Sequence, residues 1–417
     1  MSKRLPMILS GLAGLILLAF LIFQIPIVRD AVEWPLAAVE WRYEKLTTNL
    51  RNLVNPVGPV PTAVPETPVA VSPTASKAIV QPTSTVRVVP TSTQAPLPSK
   101  IILQPPPFEK QTANNCGPAA LSMAMHIYGW EGSQADIAEQ IKPVSGDRNV
   151  NPEELAYFVR NFAGWLKIEF RVDGNISILK RLLANHYPVI IEGASKLDPN
   201  DRLSPSDDLW DAHYLLVTGY DDASQIITTQ DSYYGPDQEI TYSQFEMDWK
   251  PFNYLYMVLY LPEEAAELMS ILGTDWDVIQ NRQAALSRSQ SAVENEPLDP
   301  FTWFNLGSNL VYFDKYDEAA HAYDKARELG LPLRMFRYQF GPFLAYFHSG
   351  RNEELLLLAD YALGVTEKSE ETWLWYGYGL YRKGDYDGAL AAWNRAEEIN
   401  PKFYDDQAHK AKALLGQ

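Results

Sequence analysis

QTANNCGPAAL, at residues 111–121, contains the one cysteine of the chain, Cys116. The apolar residues that follow recur at helical spacing, so Cys116 is predicted to lie where a loop becomes a helix. A helix N-terminus carries partial positive charge and unpaired N–H groups, and both stabilise a thiolate. The position is typical of a nucleophile; a buried and inert cysteine is the alternative.

A nucleophilic cysteine needs a base and usually a group that orients the base. His213 opens the run HYLLVTGYDD, at 213–222, which favours a β-strand that ends in a turn. The run QIITTQ, at 225–230, predicts a returning strand, and Asp231 follows it directly. The chain order of cysteine, histidine and aspartate suits a papain-like cysteine peptidase.

The hairpin predicts how the acid meets the base. A register that sets His213 directly opposite Asp231 is centred on Asp222 and implies a loop of three or five residues. The Asp231 carboxylate would then accept a hydrogen bond from Nδ1 of His213 and leave Nε2 toward Cys116. Asp211, two residues before His213, is the competing acid.

Three other side chains complete the reasoning about the site. Gln111, five residues before Cys116, is a candidate oxyanion donor together with the backbone N–H of Cys116. His126 lies about 15 Å down the helix from Cys116, which is too far for the base. His186 stands at the start of an apolar strand and is expected to be a surface or capping residue.

The motifs NNCGPAAL, AHYLLVTGYDD and QDSYYG, with the glutamine upstream, resemble the bacteriocin-processing (double-glycine leader) peptidases and their broader relatives, which are papain-like cysteine peptidases. The resemblance covers the first folded domain, at 108–262, and implies an α+β fold. It implies a nucleophile, a base, an orienting acid and an oxyanion donor: Cys116, His213, Asp231 and Gln111. The chain lacks the GxxxxGK[ST] loop of members that carry an ATP-binding cassette.

The C-terminal part, at 263–417, contains an internal repeat at an offset of about 70 residues, close to two tetratricopeptide periods. The matching series are Trp303, Gly307, Ala319, Tyr323 and Ala326, and Trp373, Gly377, Ala389, Trp393 and Ala396. This resembles the tetratricopeptide repeat and predicts an all-α solenoid, with a degenerate repeat at 334–368 and a capping helix at 405–415. Its concave surface would bind a protein or peptide partner; a purely structural appendage is the alternative.

The segment at 56–107 has 13 prolines among threonine, serine, valine and alanine. Such a composition cannot bury enough apolar area to fold, and it favours extended polyproline II conformations. We expect a disordered linker that holds the folded domains away from what precedes them.

The N-terminal segment, at 1–28, is predicted to be a cytoplasmic stub and a transmembrane anchor. Lys3 and Arg4 precede the uncharged run at 5–28, which is long enough to span a bilayer. The charge asymmetry keeps the N-terminus in the cytoplasm and places the bulk of the chain outside. A cleaved signal peptide is the alternative. The juxtamembrane segment, at 29–55, predicts a helix over about 36–53.

Composition excludes several classes of function. The chain has 35 basic and 52 acidic residues and a net charge of −17, so nucleic acid is not an expected partner. A single cysteine excludes a disulfide framework and any multi-thiolate metal site. No cofactor and no metal is predicted.

The sequence therefore predicts a single-pass, extracytoplasmic cysteine peptidase that hydrolyses peptide bonds through a thioester. Its partners would be a peptide or protein substrate, a protein on the repeat surface, and the membrane through the N-terminal helix. A non-catalytic peptide-binding scaffold and an acyl or peptidyl transferase remain the alternatives.

Overall fold

The computed structural model describes residues 96–144, 146–147, 149–196, 210–402 and 404–416, and the isolated positions 39, 43, 46 and 50. The predicted anchor at 5–28 and most of the predicted linker lie outside the described residues. The four isolated positions are helical, within the helix expected over about 36–53. In the described part of the chain, no helix has both the length and the apolar character needed to cross a bilayer.

The first domain is built on one antiparallel sheet with the strand order β2-β7-β3-β4-β5-β6, and β1 pairs with the end of β4. Within the described residues its strands are β1 Lys100–Ile102, β2 Lys167–Arg171, β3 Val189–Lys196, β4 Trp210–Asp221, β5 Ile226–Asp231, β6 Gly235–Thr241 and β7 Tyr256–Tyr260. Strand β1 falls inside the segment predicted as linker. It joins the sheet because Ile101 packs against the apolar core below it.

Helices cover both faces of this sheet, which gives the α+β fold expected from the sequence. They are α1 Cys116–His126, α2 Gln134–Ile141, α3 Pro152–Phe162, α4 Ile176–Ala184, α5 Tyr242–Trp249 and α6 Ala265–Leu272. Helices α1 to α3 share one apolar core, and α4 to α6 share a second core on the opposite face.

Local sequence signals account for the starts of two helices of the first domain. Asn151 caps α3, where its Oδ1 accepts a hydrogen bond from the Glu154 N–H at 3.0 Å, and Pro152 occupies the first turn. Asn175 caps α4 in the same way, through the N–H of Ile178 at 3.0 Å. These caps fix the ends of the helices that pack against the sheet.

The C-terminal region is helical, as the repeat predicts. Its helices are α7 Val278–Asn295, α8 Pro300–Tyr312, α9 Tyr316–Glu328, α10 Gly341–His348, α11 Asn352–Val365, α12 Glu370–Lys383, α13 Tyr386–Ile399 and α14 Asp405–Ala413, with a 3₁₀ helix at Leu333–Arg337. A Cβ on Gly307 would lie 2.6 Å from Tyr323, and one on Gly377 would lie 2.4 Å from Trp393. The repeated glycines therefore sit at close helix contacts, as expected.

The repeat helices pack directly on the first domain. Asn400 donates to the carbonyl of Ile141 at 2.6 Å, and Asn281 donates to the carbonyl of Val172 at 3.0 Å. Trp210, the first residue of β4, stacks on Phe301 with ring centroids 6.4 Å apart. The strand that carries His213 thus begins at the contact between the two regions.

Candidate active site

The loop before Cys116 is held by hydrogen bonds to the start of α2. Gln134 Oε1 accepts from the Thr112 N–H at 2.7 Å, and Gln134 Nε2 donates to the Lys110 carbonyl at 2.8 Å. Asn115, at the N-cap position of α1, donates through Nδ2 to the Thr112 hydroxyl at 2.7 Å. These bonds set the direction of the first N–H groups of the helix.

Cys116 is the first residue of α1, as the sequence predicts; it forms no disulfide and the residue is half-buried. Gly117 follows it, and a Cβ at that position would lie 3.2 Å from the Tyr214 ring. The absence of a side chain on Gly117 therefore lets the start of α1 approach β4. This contact brings the cysteine to the strand that carries His213.

His213 and Asp231 meet, which was the central expectation for the site. Nε2 of His213 lies 2.9 Å from Oδ1 of Asp231. The same oxygen accepts the backbone N–H groups of Tyr233 at 2.8 Å and Tyr234 at 3.0 Å. Asp231 is 5% exposed, so its carboxylate is held by donors rather than by bulk water.

The predicted assignment of the ring nitrogens was wrong. Asp231 contacts Nε2 of His213 rather than Nδ1. Cys116 also acts on the charge of His213, and Nδ1 is the ring nitrogen that Asp231 leaves for the thiol. The ring therefore still bridges the cysteine and the acid, but in the reverse orientation.

The predicted register was also wrong, by two residues. Strand β4 pairs Leu216 with Gln230, and a bulge lies between Val217 and Gly219. One further step places Asp231 opposite residue 215, so it is a diagonal neighbour of His213 rather than its direct partner. Since side chains two apart share a face of the strand, a shift of two keeps the acid on the face of the base. The connecting turn has four residues, 222–225, rather than three or five.

Gln111 lies beside the site, and its amide has a fixed orientation. Its Oε1 accepts a hydrogen bond from the Ser232 hydroxyl at 2.8 Å, and its backbone N–H donates to the Ser232 carbonyl at 2.9 Å. With the amide oxygen engaged, Nε2 is the end that can donate to an oxyanion. Ser232 directly follows Asp231, so one segment holds both the acid and the candidate oxyanion donor.

The charges of the site favour an ion pair. Burial alone would raise the pKa of the Cys116 thiol, but the hydrogen bond and charge of His213 outweigh it and lower that pKa. Burial would lower the pKa of His213, but Asp231 and Cys116 raise it to about 10. Burial likewise opposes the charge of Asp231, and the hydrogen bond from His213 keeps its pKa below the ordinary value. The arrangement is a thiolate and an imidazolium beside a carboxylate.

Asp211, the competing acid, contacts side chains of the repeat region. The Tyr338 hydroxyl donates to its Oδ1, and Arg334 and Arg337 lie 3.5 and 3.9 Å from the same oxygen. These partners come from the 3₁₀ helix and the residue after it. Asp211 therefore links β4 to the repeats, and Asp231 is the acid in contact with His213.

Sequence reasoning missed a buried acid next to the cysteine. Glu192 lies opposite Tyr214 in the β3–β4 ladder and is 2% exposed. Burial, and then repulsion from the Cys116 thiolate, raises the pKa of Glu192 well above its usual range. Tyr214 donates to the Val150 carbonyl at 3.0 Å, so a neutral Glu192 can donate in turn to the Tyr214 oxygen. The signal was present: one glutamate inside the apolar strand sequence YPVIIEGA.

The other two histidines of the domain lie apart from this chemistry. Nε2 of His126 contacts the Gly132 carbonyl at 2.8 Å, and its ring stacks on Trp130. His186 is exposed at the end of α4, with a positive φ of 67°. Both agree with the expectation that neither is the base.

The repeat region has a cleft of its own, of about 480 Å³, among helices α7, α8 and α9. Its lining combines apolar and aromatic side chains with acids and a histidine: Trp303, Leu306, Leu310, Asp317, Glu318 and His321. A lining that mixes apolar side chains with a few polar groups is compatible with ligand binding.

Comparison with known families agrees with both resemblances drawn from the motifs. Residues 102–257 match the Peptidase_C39 like family, and residues 370–403 match the tetratricopeptide repeat. The first match spans the strands and helices that bring the cysteine, the histidine and the aspartate together. The chain therefore contains a region similar to the Peptidase_C39 like family, followed by a region similar to the tetratricopeptide repeat.

Solved structures give likenesses at low identity. Xylellain, a cysteine protease from Xylella fastidiosa, is 15% identical over 40% of this chain and 87% of its own, with a TM-score of 0.30. A double glycine motif protease from an AMS/PCAT transporter, solved with the leader peptide, is 16% identical over 38% and 94%, with a TM-score of 0.28. YrrB, a TPR protein with an unusual peptide-binding site, is 20% identical over 36% and 74%, with a TM-score of 0.28. No curated protein matches the chain.

Proposed function

We propose that this protein is a membrane-anchored, extracytoplasmic cysteine peptidase that hydrolyses peptide bonds through a thioester on Cys116. One observation carries the proposal: His213 lies 2.9 Å from the Asp231 carboxylate and lowers the pKa of the Cys116 thiol. The family match over 102–257 supports the same chemistry.

In the acylation step, the Cys116 thiolate attacks the carbonyl carbon of the scissile peptide bond. The N–H of Cys116 and the Nε2 amide of Gln111 would donate to the oxyanion that forms. His213, as the imidazolium, gives its proton to the leaving nitrogen. The C–N bond breaks, an amine leaves, and the acyl group remains on sulfur as a thioester.

In the deacylation step, neutral His213 takes a proton from water while the water oxygen attacks the thioester carbonyl. The C–S bond breaks, a carboxylic acid leaves, and the thiolate–imidazolium pair is restored. Asp231 holds the ring throughout, because its Oδ1 is itself fixed by two backbone N–H groups. An amine that replaces water at this step would make the same centre a transferase.

The test is a peptide-library digest with the full chain in detergent, beside its Cys116→Ala variant. Ser291→Ala, on the exposed side of α7, serves as the matched control. We expect cleavage by the wild type and the control, and a loss of at least about 1000-fold in Cys116→Ala at an unchanged Tm. A digest with no new termini, together with specific peptide retention by both forms, would indicate a binding scaffold. Products joined to an added amine would indicate transfer.

The anchor and the repeat surface complete the proposal. The uncharged run at 5–28 after Lys3 and Arg4 supports an N-terminus in the cytoplasm and a catalytic domain outside. Protease added to intact cells should release a large fragment by cutting the proline-rich linker. Protection of the whole C-terminal part would reverse this topology. The cleft beside Trp303 supports a peptide or protein partner on the repeats.

A further inference from the structure

Four buried carboxyl groups gather where the first domain meets the repeats, and this cluster takes no part in the proposed reaction. Glu154 comes from the first turn of α3, and Glu370 and Glu371 come from the first turn of α12. One oxygen from each of these three lies within 4.8 Å of the others. Asp147 stands beside them and acts on the charges of all three.

Amide groups hold one oxygen of each glutamate in place. Asn400 Nδ2 lies 3.0 Å from Oε1 of Glu154 and 3.0 Å from Oε1 of Glu370. Asn151 Nδ2 lies 3.3 Å from Oε1 of Glu371. The cluster is therefore built from both domains. Because the two hydrogens of Asn400 Nδ2 are also shared with the carbonyl of Ile141 at 2.6 Å, Glu154 and Glu370 are satisfied only in part.

Other oxygens of the cluster are buried with nothing to satisfy them. Asp147 is 2% exposed and Glu370 is 1% exposed. Among the described residues, Asp147 Oδ2 and Glu370 Oε2 have no hydrogen-bond partner. A buried acceptor without a partner costs about 1–3 kcal/mol, and more when it is charged. Glu371 Oε2 also has no hydrogen-bond partner among the described residues. A positive ligand held by the glutamates would satisfy the unpartnered oxygens of Glu370 and Glu371.

The nearby positive side chains compensate for only part of the negative charge. Lys142 acts on Asp147 and Glu154, and Arg337 acts on Asp147. Burial and mutual repulsion raise the pKa of the carboxyl groups, to about 6 for Asp147 and about 7 for Glu371. Among the described residues, these two cations offset only part of the charge of four carboxylates, so an excess of negative charge remains when all are ionised.

We propose that this cluster binds one Ca²⁺ ion, with Glu154, Glu370 and Glu371 as ligands and Asp147 beside them. The donor set is oxygen only, and oxygen-only sites suit hard cations rather than Zn²⁺ or Cu²⁺. Mg²⁺ keeps several of its waters, whereas this site is nearly closed to solvent, so Ca²⁺ fits better. A divalent ion also offsets the excess negative charge.

Such an ion would join the two domains close to the catalytic loop. Its ligands come from α3 on one side and α12 on the other. Lys142, next to the cluster, donates through Nζ to the carbonyl of Asn114 at 2.8 Å, two residues before Cys116. The cation is therefore expected to stabilise the contact between the domains.

Terbium luminescence tests the site on the full chain after removal of divalent ions with EGTA. Tyr404, hydrogen-bonded to Glu371, is a suitable sensitiser for a bound Tb³⁺ ion. We expect saturation at one Tb³⁺ per chain and displacement by Ca²⁺. Saturating Ca²⁺ should raise the Tm by about 3 °C or more.

The double variant Glu370→Gln/Glu371→Gln should lose at least tenfold in Ca²⁺ affinity and lose the Tm rise. Glu353→Gln/Glu354→Gln, an adjacent pair in the first turn of α11, is the matched control and should behave as wild type. Unchanged binding in the cluster variant would overturn the proposal. If that variant does not fold, the wild-type isotherm decides: no luminescence displaced by Ca²⁺, or displacement by Mg²⁺ alone, would sink the assignment.

Discussion

Asp231 and Glu370 are both buried acids, 5% and 1% exposed, yet their surroundings act on them in opposite directions. Asp231 accepts three hydrogen bonds on Oδ1, and the one from His213 brings a positive charge, so its pKa is lowered. Glu370 accepts a neutral amide on one oxygen and faces other acids, so its pKa is raised. Burial alone therefore does not set the charge of an acid; its donors and neighbours do.

The largest effect should follow from removal of Asp231, whose carboxylate accepts three hydrogen bonds. Asp231→Ala deletes the acceptor that orients His213, and we expect kcat/KM to fall by about 100-fold or more. Asp231→Asn keeps an acceptor but removes the charge, so kcat/KM should fall less than in Asp231→Ala. Without the carboxylate charge the pKa of His213 should fall from about 10, which shifts the basic limb of the pH profile down. Asp211→Asn is the control, and a greater loss there than in Asp231→Ala would contradict the assignment of the acid.

The next effect concerns the thiolate that this network supports. At pH 6 an ordinary thiol, with a pKa of about 8.5, is less than about 1% ionised. Because His213 lowers the pKa of Cys116, iodoacetamide should alkylate the wild type at pH 6 at least about tenfold faster than His213→Ala. Mass spectrometry of the tryptic peptide with Cys116 gives both rates. Equal rates would mean that the imidazole does not support the thiolate.

A smaller effect is expected at Glu370, which has a buried oxygen without a hydrogen-bond partner. Without Ca²⁺ at pH 7, folding must protonate Glu370 or bury its charge, although the unfolded carboxyl has a pKa of about 4.3. The pKa of Glu370 is higher in the folded protein than in the unfolded chain. Its contribution to the stability of the fold is therefore fully present below the unfolded pKa and is lost as the pH rises through the folded pKa. Glu370→Gln avoids the cost, so in EGTA at pH 7 it should raise the free energy of unfolding.

In Ca²⁺ the effect of Glu370→Gln on the free energy of unfolding should reverse its sign. The variant lacks a ligand for the ion, so it gains less stabilisation from Ca²⁺ binding than the wild type. Urea unfolding of the full chain in EGTA and in Ca²⁺ gives the two free energies. Destabilisation by Glu370→Gln in EGTA would show that the native carboxylate is already satisfied without an ion.

The two acids also differ in how far the sequence could predict them. Asp231 was predictable because it ends a strand that must return beside His213, and strand alternation fixes the face even when the register shifts by two. The turn pairs Asp221 with Ile226, which is three residues from the predicted register, and the bulge between Val217 and Gly219 takes back one. Gly219, inside the strand run, was the local signal of that bulge. The reversed ring orientation of His213 depends on side-chain packing that no local pattern contains.

The carboxylate cluster could not be predicted, because each acid has an ordinary local role. Glu154 forms a capping box with Asn151, and Glu370 and Glu371 occupy a first helical turn, where acids are common. Only the docking of the repeats on the first domain brings these two helix starts together. The same docking directs Asp211 to Arg334 and Tyr338, which the isolated strand sequence could not indicate.

The smallest effect is expected at Glu192, a third buried acid that lies next to the nucleophile. If Glu192 is neutral and donates to Tyr214, then Glu192→Gln replaces one neutral donor with another and should keep kcat/KM within about threefold. The alkylation rate of Cys116 at pH 6 should also stay the same. Glu192→Leu is the matched control, because it removes the donor to Tyr214 and should lower the Tm. A marked rise in alkylation rate in Glu192→Gln would instead mean that a charged Glu192 opposes the thiolate in the native protein.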